Sequence, residues 1–396
     1  MKKERLHVLM IMEAEIATTH LISQVLSAAA GFGVKVTKRF VHELRIADFK
    51  PDVLPLFIRC GDPASAFWGG LLTRRRWPFI YYVDDDFWSM PSGTPLGDYY
   101  AHPMVRDSLD LFVRNAALVI TNSAVLAARL APLSRQVQLL PTFFDFSLLK
   151  GLTPESTSEF RIGFAGSSSR QPDLGLVAPV IRPILAEFPQ VVFEFAGAMP
   201  SGFSPEPRIR FFPPIASYKE FLEFKISRNW QIGLAPLLDT VANRSKTDNK
   251  YREYAACGIA AIYSDIAPYR SVIVHGQNGL IASEAASQWM DHLRLLIVDK
   301  QTRKRVVEEA ISDVRNRYDI VQVSSVWART FHQYQKQFSN AKRQPLTHFN
   351  IFGDYQVERF RSAYLRLMFK FQREGLAGIC SAAWRRMVAR LPYRFK

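Results

Sequence analysis

The stretch NRSKTDNKYREYAACGIAAIYSD, Asn243–Asp265, holds the residue types best placed to do chemistry. Thr247 or Asp248 reads as the N-cap of a short helix, and Gly258, free to take the left-handed conformation, reads as its close. Free backbone N–H groups at such a helix start form an anion site, and Arg244, Lys246 and Lys250 surround this one with positive charge. Glu253 lies about one turn beyond Lys250, where its carboxylate can accept hydrogen bonds from a pair of hydroxyls. A diphosphate on the helix end with a ribose on the glutamate is the geometry that holds a nucleotide diphosphate. The plainer alternative is a solvated charged face with Glu253 exposed on it.

A second constellation is FIYYVDDDFW, Phe79–Trp88. Asp84, Asp85 and Asp86 end a hydrophobic strand, and three adjacent carboxylates repel one another unless something compensates. One reading is a divalent cation held by Asp84 and Asp86. Another is that the carboxylates cap the turn that follows. Other candidates carry less. His102 is a lone loop histidine, and Ser167-Ser168-Ser169 lacks the G-x-S-x-G elbow of a serine hydrolase. No G-x-G-x-x-G follows the first apolar run, which argues against a simple dinucleotide oxidoreductase.

The elements that must position these residues alternate in type. Short runs rich in Val, Ile and Leu predict strands at 7–12, 34–41, 53–58, 79–83, 118–121 and 137–140, with helical patterns at 19–30 and 105–115. A turn-rich connector at 150–159 breaks the series. Strands follow at 160–165, 191–196, 209–212, 231–235, 260–263 and 280–281, with helices at 178–188, 218–225, 248–257, 287–298 and 302–317. This is an α/β chain of two doubly wound, Rossmann-like halves, and two such domains facing a cleft would hold a ligand beyond the carboxyl ends of their strands. The expected boundaries are 1–150, 151–335 and a tail at 336–396.

The 396 residues, 48% apolar, suffice for full cores. The three cysteines, never in a C-x-x-C pair, predict neither a disulfide framework nor a zinc site and fit a reducing compartment. No run of 18 apolar residues occurs, and the first apolar stretch, cut at Glu13, is too short for a signal peptide. The net charge of +15 calls for an anionic partner. From Val357 onward Arg359, Arg361, Arg366, Lys370, Arg373, Arg385, Arg386, Arg390, Arg394 and Lys396 face only Glu358 and Glu374, which supplies +8 of that charge. Phe360, Tyr364, Leu367, Met368 and Phe371, then Ile379, Ala383, Trp384 and Met387, recur at helical spacing among the arginines. That pattern fits a helix lying in an anionic membrane interface, or a terminal helical hairpin packed on the protein's own surface. Nucleic acid is not expected, since no recognised binding module accompanies the charge.

The block EYAACGIAAIYSDIAPYRSVIVHGQNGLIA resembles the carboxyl-terminal donor-binding motif of GT-B glycosyltransferases of the large retaining "group 1" class. LLPTFFD at 139–145, VITNS at 119–123 and IGFAGSSSRQPDL at 162–174 extend the likeness over roughly 75–335. The resemblance implies that Glu253 binds the nucleotide ribose, and that Ala256, Cys257 and Gly258 form the small-residue helix end. Two departures stand out. The family's earlier glutamate, implied to contact the transferred sugar, falls at Ser245, and its loop arginine falls at Ser167. A subgroup pattern N-x-x-K-S-x-x-K-x-x-E-Y is matched by Asn243, Lys246, Thr247, Lys250, Glu253 and Tyr254. Arg170, Lys246 and Lys250 then supply the phosphate charge, while Gly166, Ser167 and Ser168 offer backbone and hydroxyl donors.

By resemblance, the Asp84–Asp86 strand end takes the place of a His-Asp pair, which favours acceptor binding with one aspartate as base or charge stabiliser. The expected activity is retaining, metal-independent transfer from a nucleotide-diphosphate sugar, a co-substrate rather than a cofactor. The expected acceptor is a glycan or lipid-linked glycan, in the cytoplasm or peripherally on the inner membrane face. The rivals are a GT-B-fold nucleotide-sugar epimerase and a non-catalytic GT-B scaffold.

Overall fold

The computed structural model describes residues 6–215, 217–346 and 351–388, without side chains at 336–337, 351–352 and from 373 onward. Ile379, Ala383, Trp384, Met387, the arginines at 373, 385, 386, 390 and 394, and Lys396 therefore lie outside the described side chains. The chain forms two compact units. One comprises Met1–Leu140 with Val326–Lys396, and the other Pro141–Ser325.

In the first unit the order is β1 (Leu6–Met12), α1 (Ala17–Ala28), β2 (Val34–Phe40), β3 (Val53–Ile58), α2 (Pro63–Arg74) and β4 (Ile80–Tyr82). Then come α3 (Pro95–Ala101), α4 (Pro103–Asn115), β5 (Leu118–Thr121), α5 (Ala124–Leu130) and β6 (Val137–Leu139). The second unit runs β7 (Phe160–Ala165), α6 (Ala178–Glu187), β8 (Val191–Ala196), β9 (Ile209–Phe212), α7 (Tyr218–Ser227) and β10 (Ile232–Ala235). It continues with α8 (Val241–Arg244), α9 (Asn249–Ala256), β11 (Ala260–Ser264), α10 (Ala267–Arg270), β12 (Leu280–Ala282), α11 (Ala286–Val298) and α12 (Lys300–Arg317). Two more helices, α13 (Ile320–Ser339) and α14 (Ile351–Val388), complete the order.

Each unit holds one six-stranded sheet, ordered β2-β1-β3-β4-β5-β6 and β12-β11-β10-β7-β8-β9. The strand pairs of both sheets are parallel. Central strands such as β3 and β8 are buried at every residue, as expected of parallel strands covered by helices on both faces.

The units divide near 140 and 325 instead of 150 and 335, for identifiable reasons. The turn-rich 150–159 stretch is tied onto the surface of the second unit: the Glu155 amide donates to the Ser227 carbonyl (3.0 Å) and its carboxylate pairs with Arg228 at 3.1 Å. The tail returns to the first unit as a single helix, α14, where a hairpin was one expectation. Tyr355 and Leu365 join that unit's core, the Tyr355 hydroxyl donates to the Val41 carbonyl (2.5 Å), and Ser362 accepts from the Ala64 amide (2.9 Å). Arg366 pairs with Asp62, whose other oxygen caps α2 through the Ser65 amide at 3.0 Å. Val357, Phe360, Tyr364, Leu367 and Phe371 stay exposed on α14, Phe360 by 74%. Among the described residues no helix is long and apolar enough to cross a membrane.

Gly163 in β7 is required by its neighbour. A Cβ there would stand 1.8 Å from the indole of Trp230, which is itself tied to Glu194 at 2.8 Å. Gly163→Ala should destabilise the protein by about 1–3 kcal/mol or more, the cost of overpacking a closed core. Urea unfolding checks this, and an unchanged midpoint would show that Trp230 can move aside.

Candidate functional site

In the second sheet the chain steps outward from β7 to β8 and β9, then returns to place β10 on the other side of β7. Ligands of open parallel sheets bind where connections diverge, here beyond the carboxyl ends of β7 and β10. Gly166 follows β7, and its amide donates to Ala196 (3.0 Å). Gly197, at φ +80°, approaches so closely that a Cβ would lie 2.2 Å from the Gly166 carbonyl oxygen. The loop then makes one tight turn at Ser168–Arg170, with the exposed Ser167 and Ser169 hydroxyls bonded at 2.8 Å. Ser168 and Gly197 line a cavity of about 350 Å³.

Helix α9 starts without a side-chain cap. Asp248 occupies the N-cap position, but its carboxylate accepts from Arg252 Nε (3.1 Å) and from the Tyr318 hydroxyl, so the amides of the first turn stay available to an anion. The helix closes as the sequence predicts. Gly258 sits at φ +73°, with Ile259 N donating to Tyr254 O (2.9 Å) and Gly258 N to Ala255 O (3.0 Å).

Lys250 and Glu253 share a face of α9. The Lys250 ammonium donates to the Ala165 carbonyl at the end of β7 and lies 4.6 Å from the Phe164 ring centroid. Burial and the charge of Lys225 pull Lys250 down to about 7. Lys225, from α7, is fully buried and 2.5 Å from Glu253 Oε2. Burial alone would raise the Glu253 carboxyl, but Lys225 and then Lys250 outweigh it and hold it below its usual value. The Tyr218 phenol bonds the same carboxylate, and burial pushes that phenol well above its ordinary range.

Other expected residues are differently engaged. Arg244 is exposed and pairs with Asp239 at 2.5 Å, which takes its charge from the helix start. Arg170 Nη1 is shared between Asp173 (3.0 Å) and Asn243 (3.2 Å). The Thr247 hydroxyl donates to Asn249 at 3.0 Å, and Lys246 is half-buried before the helix. Ser245, at the position of the family's first glutamate, is buried with its hydroxyl 3.5 Å from the Val241 carbonyl.

In the first sheet the connections diverge between β1 and β3. Arg59, after β3 at φ +50°, explains the aspartate run. Its Nε lies 3.3 Å from Asp84 and its Nη2 3.2 Å from Asp85, while Nη1 donates to Thr18 (2.9 Å). Thr18 in turn donates to Asp84 at 2.7 Å. Burial raises the Asp84 carboxyl and Arg59 opposes that rise. Asp86 pairs instead with Arg129 and makes no side-chain cap on the turn at Phe87–Ser89. The capping alternative thus fails for Asp86, and Asp84 and Asp86 are held by different arginines. Among the described residues no group of three or more His, Cys, Asp and Glu side chains is placed to hold a metal ion. His102 caps α4, its Nδ1 accepting from the Met104 amide at 3.3 Å.

Two residues emerge that the sequence did not single out for this chemistry. Lys225 lies three positions after Leu222 on the apolar stripe of α7, and a lysine on such a stripe signals a buried partner. Glu13, read only as the end of an apolar run, stands beyond β1. Its Oε1 accepts from Gly61 N (2.7 Å), Asp62 N (2.8 Å) and Ser65 Oγ (2.6 Å). Burial, then Asp62, raise its carboxyl to about 7.

No known protein family and no curated protein matches the chain by sequence. Its fold resembles that of several solved glycosyltransferases. HepE of Anabaena, solved in complex with UDP, superposes with a TM-score of 0.59 at 14% identity over 82% of this chain and 99% of HepE. Sucrose-phosphate synthase of Thermosynechococcus elongatus gives 0.59 at 13% identity over 84% and 100%. An α,α-trehalose-phosphate synthase (UDP-forming) of Burkholderia vietnamiensis gives 0.51 at 13% over 82% and 81%. At these identities the likeness is one of fold, the GT-B arrangement of two Rossmann-like sheets.

The raised Glu13 carboxyl makes stability depend on pH. The folded state retains a proton that the unfolded chain has lost, so this group's contribution is complete below about pH 4.5 and disappears as pH rises through about 7. Glu13→Gln should therefore gain on the native protein between pH 5 and 7, by about 1 kcal/mol or more, and level off above. Melting temperatures across that range test it; a constant difference would place the Glu13 carboxyl at its ordinary value.

Proposed function

We propose that this protein is a glycosyltransferase that moves a sugar from a nucleotide-diphosphate sugar to a glycan or lipid-linked glycan, with retention of configuration and without a metal ion. The observation that carries this reading is the cluster of Lys225, Glu253 and Lys250 beside an uncapped helix start and the Gly166–Ser168 loop. Fold neighbours solved with UDP and UDP-glucose support it.

In this reading the ribose lies on Glu253. The diphosphate lies against the α9 amides, Lys250 and the Gly166–Ser168 donors, with Lys246 and Thr247 at the entrance to the helix. As the glycosidic bond breaks, negative charge grows on the leaving diphosphate, and preorganised donors in a partly dry site stabilise it. An approaching dianion favours the charged form of Lys250, so binding draws a proton onto that amine near neutral pH. The first unit receives the acceptor, with Asp84 and Asp85 oriented by Arg59 for its hydroxyls and Asp86 anchored by Arg129 as support.

Glu253→Gln should cost about 1–3 kcal/mol of UDP affinity, the scale of a lost hydrogen bond to a charged group. Calorimetry on the folded variant decides this, and unchanged affinity would remove the residue from the site. Transfer from a labelled UDP-sugar should persist in EDTA. Loss restored by manganese would move the donor to the Asp84–Asp86 edge. Epimerisation of donor without acceptor would indicate the epimerase, and donor binding without turnover the scaffold.

The exposed stripe of α14 is proposed to rest on an anionic membrane surface. Its apolar side chains contribute about 25 cal/mol per Å² buried, and each flanking arginine about 1 kcal/mol at most, weakened by salt. Removing everything after Lys342 would strip Tyr355 and Leu365 from the core, so point changes are the cleaner test. Phe360→Asp with Leu367→Asp should abolish salt-sensitive flotation with phosphatidylglycerol vesicles and leave the melting temperature within a few degrees. Flotation unaffected by both changes would end the membrane reading.

A further inference from the structure

We propose that Lys225 makes this site select a ribonucleotide: from α7 it holds one oxygen of Glu253 and keeps the side chain a carboxylate, a double acceptor for the 2′ and 3′ hydroxyls of a ribose. The inference rests on the donor-site reading above and adds a specificity-determining residue that touches no ligand.

The exposures separate the two roles. The Lys225 side chain has none, whereas Glu253 keeps 12% of its own open. A ligand can reach the glutamate but not the lysine, so Lys225 acts as a positioning residue. Its ammonium lies 4.1 Å from the Phe221 ring centroid and 5.0 Å from that of Tyr254, a lining of aromatic faces that replaces water. Removing a lysine from water costs several kcal/mol unless a counter-charge lies close, and Glu253 is that counter-charge.

The state of Glu253 decides what it can recognise. A carboxylate accepts at both oxygens and suits two hydroxyl donors, whereas a carboxylic acid spends one oxygen as a donor. Besides Lys225, the groups facing Glu253 are Tyr218 on α7, Lys250, Arg252 and Tyr254 on α9, Cys257 at the helix end and Tyr269 on α10; burial raises the three phenols, which stay neutral. Arg252 is committed to Asp248 and the Phe143 carbonyl, and Lys250 to the Ala165 carbonyl. Burial drives the Cys257 thiol up to about 12, so it stays neutral. Without Lys225 the carboxyl would keep the burial that raises it and lose the nearest charge and hydrogen bond that lower it, so it would take up a proton more readily.

The test is calorimetric binding of UDP and of 2′-deoxy-UDP to the full chain and to K225M, K225R and E253Q. The native protein should prefer UDP by about tenfold or more, as expected for a lost hydrogen bond to a charged group. K225M and E253Q should bind the two nucleotides within about twofold, while K225R keeps most of the preference. In K225M the preference should return as pH is raised, because Glu253 ionises again; a lysine that only supports the fold would show no such recovery. K225Q replaces K225M if the latter fails to fold. A preference that survives K225M while E253Q abolishes it overturns the role of Lys225 alone. A native protein that binds UDP without preference, or not at all, overturns the donor-site reading and this inference with it.

Discussion

A charged group withdrawn from water must be given a counter-charge or lose its charge, and the interiors of both units are arranged around that constraint. Glu194 is fully buried in β8, and it is tolerable there because Arg228 and the Trp230 indole donate to it at 2.5–2.9 Å. That anchorage fixes Trp230 over Gly163. Asp62, equally buried, has a helix amide on one oxygen and Arg366 on the other. In each case the buried carboxylate has both oxygens engaged by the protein's own donors.

The groups beyond the diverging strands obey the same rule but stop short of closure. Glu253 has its lysine yet keeps an open edge. Lys250 has a carbonyl but sits beside another cation. Glu13 satisfies one oxygen with three donors while burial resists its charge. Incomplete neutralisation in a half-dry setting is what lets such groups respond to a ligand or a proton, which separates them from the sealed pairs of the core.

Much of this was legible in the sequence. Parallel, doubly buried strands advertise themselves as short runs of Val, Ile and Leu, and each expected strand has its counterpart. Gly258 and the helix it ends follow from local backbone chemistry alone. What the sequence obscured depends on distant partners. Arg244 looks as available as Lys250 in a linear reading, but Asp239 neutralises it. Arg59 lies 25 positions before Asp84, and nothing local marks it as the counter-charge of the aspartate run. The unit boundaries were displaced because a stretch rich in turn residues resembles a linker even when, as at Glu155, it is hydrogen-bonded along the surface of the unit that follows.

The separation of the first unit into two sequence segments sets an order of events during synthesis. Pro141–Ser325 is continuous and holds all the strands of its own sheet, so it can close while later residues are still being added. The first unit can form its sheet from β1–β6 but cannot complete its core until α14 arrives. Asp62 and Trp68 must wait for Tyr355 and Arg366, and the Asp62–Arg366 pair spans 304 positions. At ~5–20 residues per second the interval between the end of the first segment and the arrival of Arg366 is on the order of ten to forty seconds. Throughout it, the face of α2 that α14 will cover stands open, an apolar surface around a carboxylate without its arginine. Until α14 arrives, that face is an apolar surface through which a nascent chain of this protein can associate wrongly, and which a chaperone can shield.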